Sequence, residues 1–208
     1  MENTRSNKAI QLFIGTIVVG TIYQIFGTLR LSGSLLVILE TFWNLIIGGF
    51  VAYVLFKETF IDQFKHFSFK TLLLGIPAVF AVGTGFGLVY KTIFGAATVN
   101  SIAASISPLM VFGQVPFMLM GEEILSTNIV IAMEKKGFSF MIASLVSSVL
   151  FALWHVTAYG FNIPQLLITI VPTRLALNYI WKHSKSIWVS WICHFTFDLI
   201  GFIPFLIK

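Results

Sequence analysis

The chain has 208 residues, of which 57% are hydrophobic and 10% charged, and its formal net charge is +5. An ordinary soluble domain carries roughly 25% charged residues, so this composition excludes a soluble globular protein. The basic residues sit in short connectors with no aromatic-interleaved basic face, which excludes a nucleic-acid footprint, and the single cysteine, Cys193, excludes an intrachain disulfide framework or a multi-thiolate metal site.

Apolar runs recur along the whole chain, each near the roughly 20 residues that a helix needs to cross a bilayer. They predict an all-α fold, a polytopic transmembrane helical bundle of about seven helices. It forms one membrane domain over residues 1–208, with a motif-bearing core at about 108–207. The first span covers about 9–29; it lacks a short apolar region ending in a small-residue cleavage site and reads as retained. The second covers about 35–56, followed by a polar, partly amphipathic connector, 57–70, suited to the interface plane. The third covers about 71–90, and the small, polar stretch 94–107 reads as a loop or short re-entrant piece. The fourth, about 108–133, carries Gly121-Glu122-Glu123; the fifth, sixth and seventh cover about 138–159, 164–181 and 187–207.

With the N-terminus cytoplasmic, the inner connectors hold Arg5, Lys8, Lys57, Lys65, Lys70, Lys135, Lys136, Lys182 and Lys185. The outer ones hold only Arg30, Lys91 and Lys208. This positive-inside bias predicts a multi-pass protein of a cell membrane with its N-terminus inside and its C-terminus outside. High Phe, Ile and Lys usage points to a low-GC bacterium. Gly48-Gly49 and the set Gly83, Gly85 and Gly87 read as sites of close helix packing.

An ionisable side chain inside a bilayer costs roughly 2.5–3.5 kcal/mol on insertion scales, so each needs a reason. The spans contain Glu40, Glu122, Glu123, His155, Arg174, His194 and Asp198. Glu40 reads as interfacial or helix-pairing, and Arg174 as snorkelling or pairing with a carboxylate. His194 and Asp198 lie four apart and share a helix face, as do Phe151 and His155. Glu122 and Glu123 are about 100° apart around their helix, so one points at a shared centre and the other reaches for a second partner. Counted at about 1.5 Å per residue, His155 lies deeper than Glu122 and His194, so the three meet only through helix tilt or a fifth helix that begins outside the hydrocarbon.

A carboxylate and two imidazoles fit two chemistries. Glu122, His155 and His194 could ligate Zn²⁺ with a water in the open position. Alternatively, Glu122 with His155 activates water as general base, while His194 and Asp198 bind the developing oxyanion. Spacing alone leaves both open.

The order Glu122-Glu123, Phe151-x-x-x-His155 and His194-x-x-x-Asp198, each in its own apolar helix, resembles the CAAX proteases and bacteriocin-processing enzymes, often called the Abi or CPBP family. These are intramembrane peptidases related to the type II CAAX prenyl endopeptidase. The segment Ser186-Ile187-Trp188 leading into His194 is similar as well, and the resemblance spans about 121–199. It implies a buried, water-filled peptidase site with Glu122 activating, Glu123 assisting, His155 sharing the water or metal, and His194 with Asp198 completing it. The implied substrate is a small peptide or a membrane-anchored protein, with bacterial peptide maturation or self-immunity as the role. The family's first motif reads Glu-Glu-x-x-x-Arg; here Thr127 holds the arginine position, and Arg174 is a candidate substitute. Two rivals remain: a catalytically silent immunity or scaffold protein, and an ion-coupled transporter using Glu and His as relays.

Overall fold

A backbone immersed in hydrocarbon must satisfy its own hydrogen bonds, and these apolar runs do so as helices. The computed structural model describes residues 2–26, 33–104 and 106–207, and among them there is no strand. Leu29 at the predicted end of the first span, Arg30 and Lys208 lie outside the described residues. In chain order the helices are α1 (Glu2–Ile25), α2 (Gly33–Asp62), α3 (Phe69–Phe94), α4 (Ser101–Ala104), α5 (Pro108–Gly113), α6 (Val115–Lys135), α7 (Phe140–Leu153), α8 (Ile163–Ser184) and α9 (Ile187–Leu206). Six of them, α1, α2, α3, α6, α8 and α9, are long and apolar enough to cross a membrane, and α7 is a shorter apolar helix. The chain is a multi-pass membrane protein, and its all-α bundle has about the seven helices that the apolar runs predict.

The helices differ from the expected spans in ways that shape the interior. α2 continues, through a kink, into the polar connector as far as Asp62, and the next helix starts only after Ser68, whose hydroxyl accepts from the Thr71 amide at 3.2 Å. Inside α2, residues Asn44–Gly48 form a π-helical segment, and Phe56 leaves helical geometry at φ −139°, ψ 54°. The expected fourth span is two helices, because Gln114 breaks the path at φ −121°, ψ −51°. The expected fifth span stops at Leu153: residues 154–161 form turns, and the chain reverses through positive φ at Gly160 (59°) and Phe161 (62°). Asn162 then caps α8 by accepting from the Gln165 amide.

α6 is the central post. Of its most apolar window 78% is buried, against 39% for the next most buried span, α8. It packs against α1, α2, α7 and α9, while α3, α8 and α9 form the other side of the bundle. Two glycines set its contact with the π segment: a Cβ on Gly121 would meet the Leu45 amide nitrogen at 2.7 Å, and one on Gly48 would meet Leu125 at 2.7 Å. Asn128 adds a buried polar tie, donating to the Gly48 carbonyl at 3.1 Å. On the other side, Gly83 sits against the Phe197 ring and Gly75 against Cys193, which is buried packing as its apolar setting suggests. A Cβ on Gly85 or Gly87 would meet nothing within 4 Å, so neither is a packing site. Gly85 lies about 200° round the helix from Gly83, which puts it on the opposite face.

Candidate active site

The polar residues of α6, α8 and α9 meet near the end of α7. Because α7 stops at Leu153, His155 sits in the turn after it and folds back on the helix: its Nδ1 lies 2.8 Å from the Phe151 carbonyl oxygen. That oxygen only accepts, so Nδ1 carries a proton and Nε2 is the atom left to face the centre. His155 Nε2 faces Glu122 Oε1 at 3.8 Å. From α9, His194 Nε2 faces Glu122 Oε2 at 3.9 Å and Asp198 Oδ2 at 3.8 Å. Both separations from Glu122 exceed a direct hydrogen bond and suit one bridging water. The early end of α7 thus removes the depth conflict of the helix count, and Glu122, His155, His194 and Asp198 come together.

Glu123 faces another way. It is fully buried and receives the Arg174 guanidinium as a fork, Nη1 to Oε1 at 2.5 Å and Nη2 to Oε2 at 3.0 Å. His194 Nδ1 donates to the same Oε1 at 3.0 Å. Arg174 is itself fully buried; its Nε donates to Asn178 Oδ1 at 3.1 Å, and Asn178 Nδ2 donates to Ser144 Oγ at 3.1 Å. Its guanidinium carbon also lies 5.3 Å from the centre of the Phe151 ring, which is 4.5 Å from His155 and 6.0 Å from His194. A buried forked ion pair whose Nε–H is also bonded fixes geometry well, and here it fixes the ring of His194.

Of the groups outside the spans, Tyr159 lines the same groove, and burial pushes its phenol up from the ordinary value, which keeps it a neutral hydroxyl. The groove has a volume of about 650 Å³ and holds Glu122, His155, His194 and Asp198 on one wall, with Phe80, Phe197, Phe202 and Phe205 among its apolar walls. Sequence reading missed Asn178, Ser144 and Ser148. Their signal was present as i, i+4 spacing of polar residues, Arg174 to Asn178 and Ser144 to Ser148, within apolar helices. It also set Glu40 aside, yet Glu40 lines a second cavity that reaches Glu122 and His155.

Zinc would need its donors at about 2.0–2.2 Å from one point. Among the described residues no group of three or more His, Cys, Asp or Glu is placed to hold a metal ion. As placed, the side chains do not make that coordination set.

Residues 103–200 match the family model described as type II CAAX prenyl endopeptidase Rce1-like. The matched segment, a little under half of the chain, is similar to the Rce1-like family. No curated protein and no solved structure matches the chain. The matched segment contains Glu122, Glu123, His155, Arg174, His194 and Asp198, and it begins upstream of the stretch that carries the motif resemblance. Rce1-like proteins are membrane-embedded CAAX proteases, and the likeness supports reading this multi-pass chain as a membrane peptidase of that type.

Proposed function

We propose that this Rce1-like peptidase hydrolyses a peptide bond with water activated by Glu122, without help from a metal. One observation carries the reading: both imidazole Nε2 atoms converge on the Glu122 carboxylate at 3.8 and 3.9 Å, with the groove open in front of them. A water between Glu122 and His155 gives one proton to Glu122 and donates its other hydrogen to His155 Nε2. The hydroxide attacks the carbonyl carbon. His194, protonated on both nitrogens and surrounded by Glu122, Glu123 and Asp198, donates Nε2–H to the oxyanion while Nδ1–H stays on Glu123. As the tetrahedral species collapses, the C–N bond breaks and the leaving nitrogen takes the proton held by Glu122. The products are a carboxyl group and an amine, and the site returns to its starting charge. Asp198 orients His194, and Arg174 holds Glu123 in the place of the motif arginine that Thr127 lacks.

The substrate is a small peptide or a membrane-anchored chain whose apolar part lies in the phenylalanine-lined groove. In a bacterial membrane that role fits maturation of a bacteriocin or signalling peptide, or self-immunity. The N-terminus is cytoplasmic; supporting this, Arg5, Lys135, Lys136, Lys182 and Lys185 gather around one cavity at a single end of the bundle.

The test is cleavage of candidate peptides by the purified protein in liposomes. Glu122→Gln removes the base and is expected to lower kcat by about 10²–10⁴-fold, and His194→Leu removes an oxyanion donor at a cost of about 10²–10³-fold. Activity should survive a chelator. Loss on chelation with recovery on adding Zn²⁺ would overturn the metal-free step. Full cellular function of both variants, with no cleavage by wild type, would replace the peptidase with a scaffold.

A further inference from the structure

Hydrolysis consumes one water per bond, and a groove walled by Phe80, Phe197, Phe202 and Phe205 is a poor path for it once an apolar substrate fills the space. A second cavity of about 280 Å³, between α1, α2 and α6, reaches the site from the other side. Glu122 and His155 line both cavities, whereas His194 and Asp198 line only the groove. The second cavity draws Tyr23 and Gln24 from α1, Glu40 and Asn44 from α2, Gln114 from the break before α6, and Thr157 from the turn after α7. We propose that this cavity, more polar than the groove, is a water chamber, separate from the substrate groove, that supplies Glu122 during turnover.

Four observations support the chamber. Asn44 is only 8% exposed and its Oδ1 has no hydrogen-bond partner, a cost that a water in the adjoining cavity would remove. Asn44 opens the π-helical segment of α2, which packs backbone to backbone on Gly121, directly before Glu122, so the wall of the chamber and the base are held in register. The polar lining offers the two to four partners that a buried water requires, and at about 30 Å³ per molecule the volume admits several. The Thr157 hydroxyl donates to Gln24 Oε1 at 3.3 Å, tying the His155 turn to α1 across the chamber.

The inference rests on the proposed peptidase reading, and the test separates the two. In a Cys193→Ala background reconstituted in liposomes, Asn44→Cys, Glu40→Cys and Ile46→Cys are treated with a cationic, membrane-impermeant methanethiosulfonate. Ile46 is 59% exposed on the same helix but faces the bundle's outer surface, where lipid suppresses the thiolate. Cysteines at 44 and 40 are expected to react at least about tenfold faster than at 46, because reaction needs a hydrated thiolate. Equal rates would mean a dry cavity and overturn the chamber. The modified Glu40→Cys protein, or Gln24→Cys as a second plug position, is then compared with the same sample before modification. Plugging is expected to cut kcat by about tenfold or more with KM within about twofold, the pattern of a lost reaction step rather than lost binding. Unchanged kcat in both plugged proteins overturns the route. A wild type without peptidase activity defeats the function and the route together, while the labelling rates still report the chamber's hydration.

Discussion

Adjacent carboxylates acquire different surroundings here because about 100° of helix rotation separates them. Glu123 turns into the Arg174 fork and the Nδ1 of His194, while Glu122 faces the groove. The sequence made both glutamates and both histidines visible, since charge in an apolar run needs a reason. It left open which glutamate faced the centre, because rotation about a helix axis is set by neighbours that spacing does not reveal. Arg174 was ambiguous for the same reason: nothing local tells a snorkelling arginine from one paired 51 positions away. Removing it strands Glu123, so Arg174→Met is expected to cost about 3–5 kcal/mol, the penalty for an unpaired buried charge, read as a lower unfolding midpoint in detergent. Thr127 is fully buried one turn beyond Glu123, at the position where the resemblance expects arginine. Adding Thr127→Arg to Arg174→Met is therefore expected to restore part of both stability and turnover. A double variant no more active than Arg174→Met alone would show that Arg174 acts from its own helix only.

Between residues and the bundle stand the helix irregularities, and these were the least legible. Trp154 to Tyr159 is less apolar than the helix before it but holds no glycine, proline, acid, lysine or arginine to mark a stop, so the fifth span ran six residues too far. α7 gives way at His155, whose amide bonds to the Ala152 carbonyl three residues back, and the chain then reverses at Gly160 and Phe161. Nor does any composition mark the π segment at Asn44–Gly48, which depends on how closely α2 meets α6. Its fit is tightest at Gly121, where an added Cβ would strike the Leu45 backbone nitrogen, a neighbour that cannot rotate away. Gly121→Val is expected to destabilise by about 1–3 kcal/mol, as overpacking does, and to slow turnover by shifting Glu122. Gly85→Ala, in open space on α3, is expected instead to stabilise by about 0.4–1 kcal/mol through a stiffer unfolded chain. Thermal unfolding of the two variants side by side reads both signs.

At the scale of the molecule, the number and order of helices followed from apolar run length alone, because a bilayer leaves a chain few other structures. The central place of α6 did not. It emerges from the burial of Ser126, Thr127 and Asn128, polar residues that only a helix surrounded by protein can carry. The same scale sets how the protein meets its lipid. At 1.5 Å per residue, the 14 residues of α7 reach about 21 Å, while a typical hydrocarbon core is about 30 Å thick. Beside α7 the leaflet must bend inward to cover the helix end, at a cost of fractions of a kcal/mol for each ångström of mismatch. A helix that short predicts a locally thinner bilayer on the side where His155 sits. Short-acyl-chain lipids relieve that strain, so peptide cleavage should be faster in thin vesicles than in thick ones, and the acyl composition of the host membrane becomes a regulator of this peptidase.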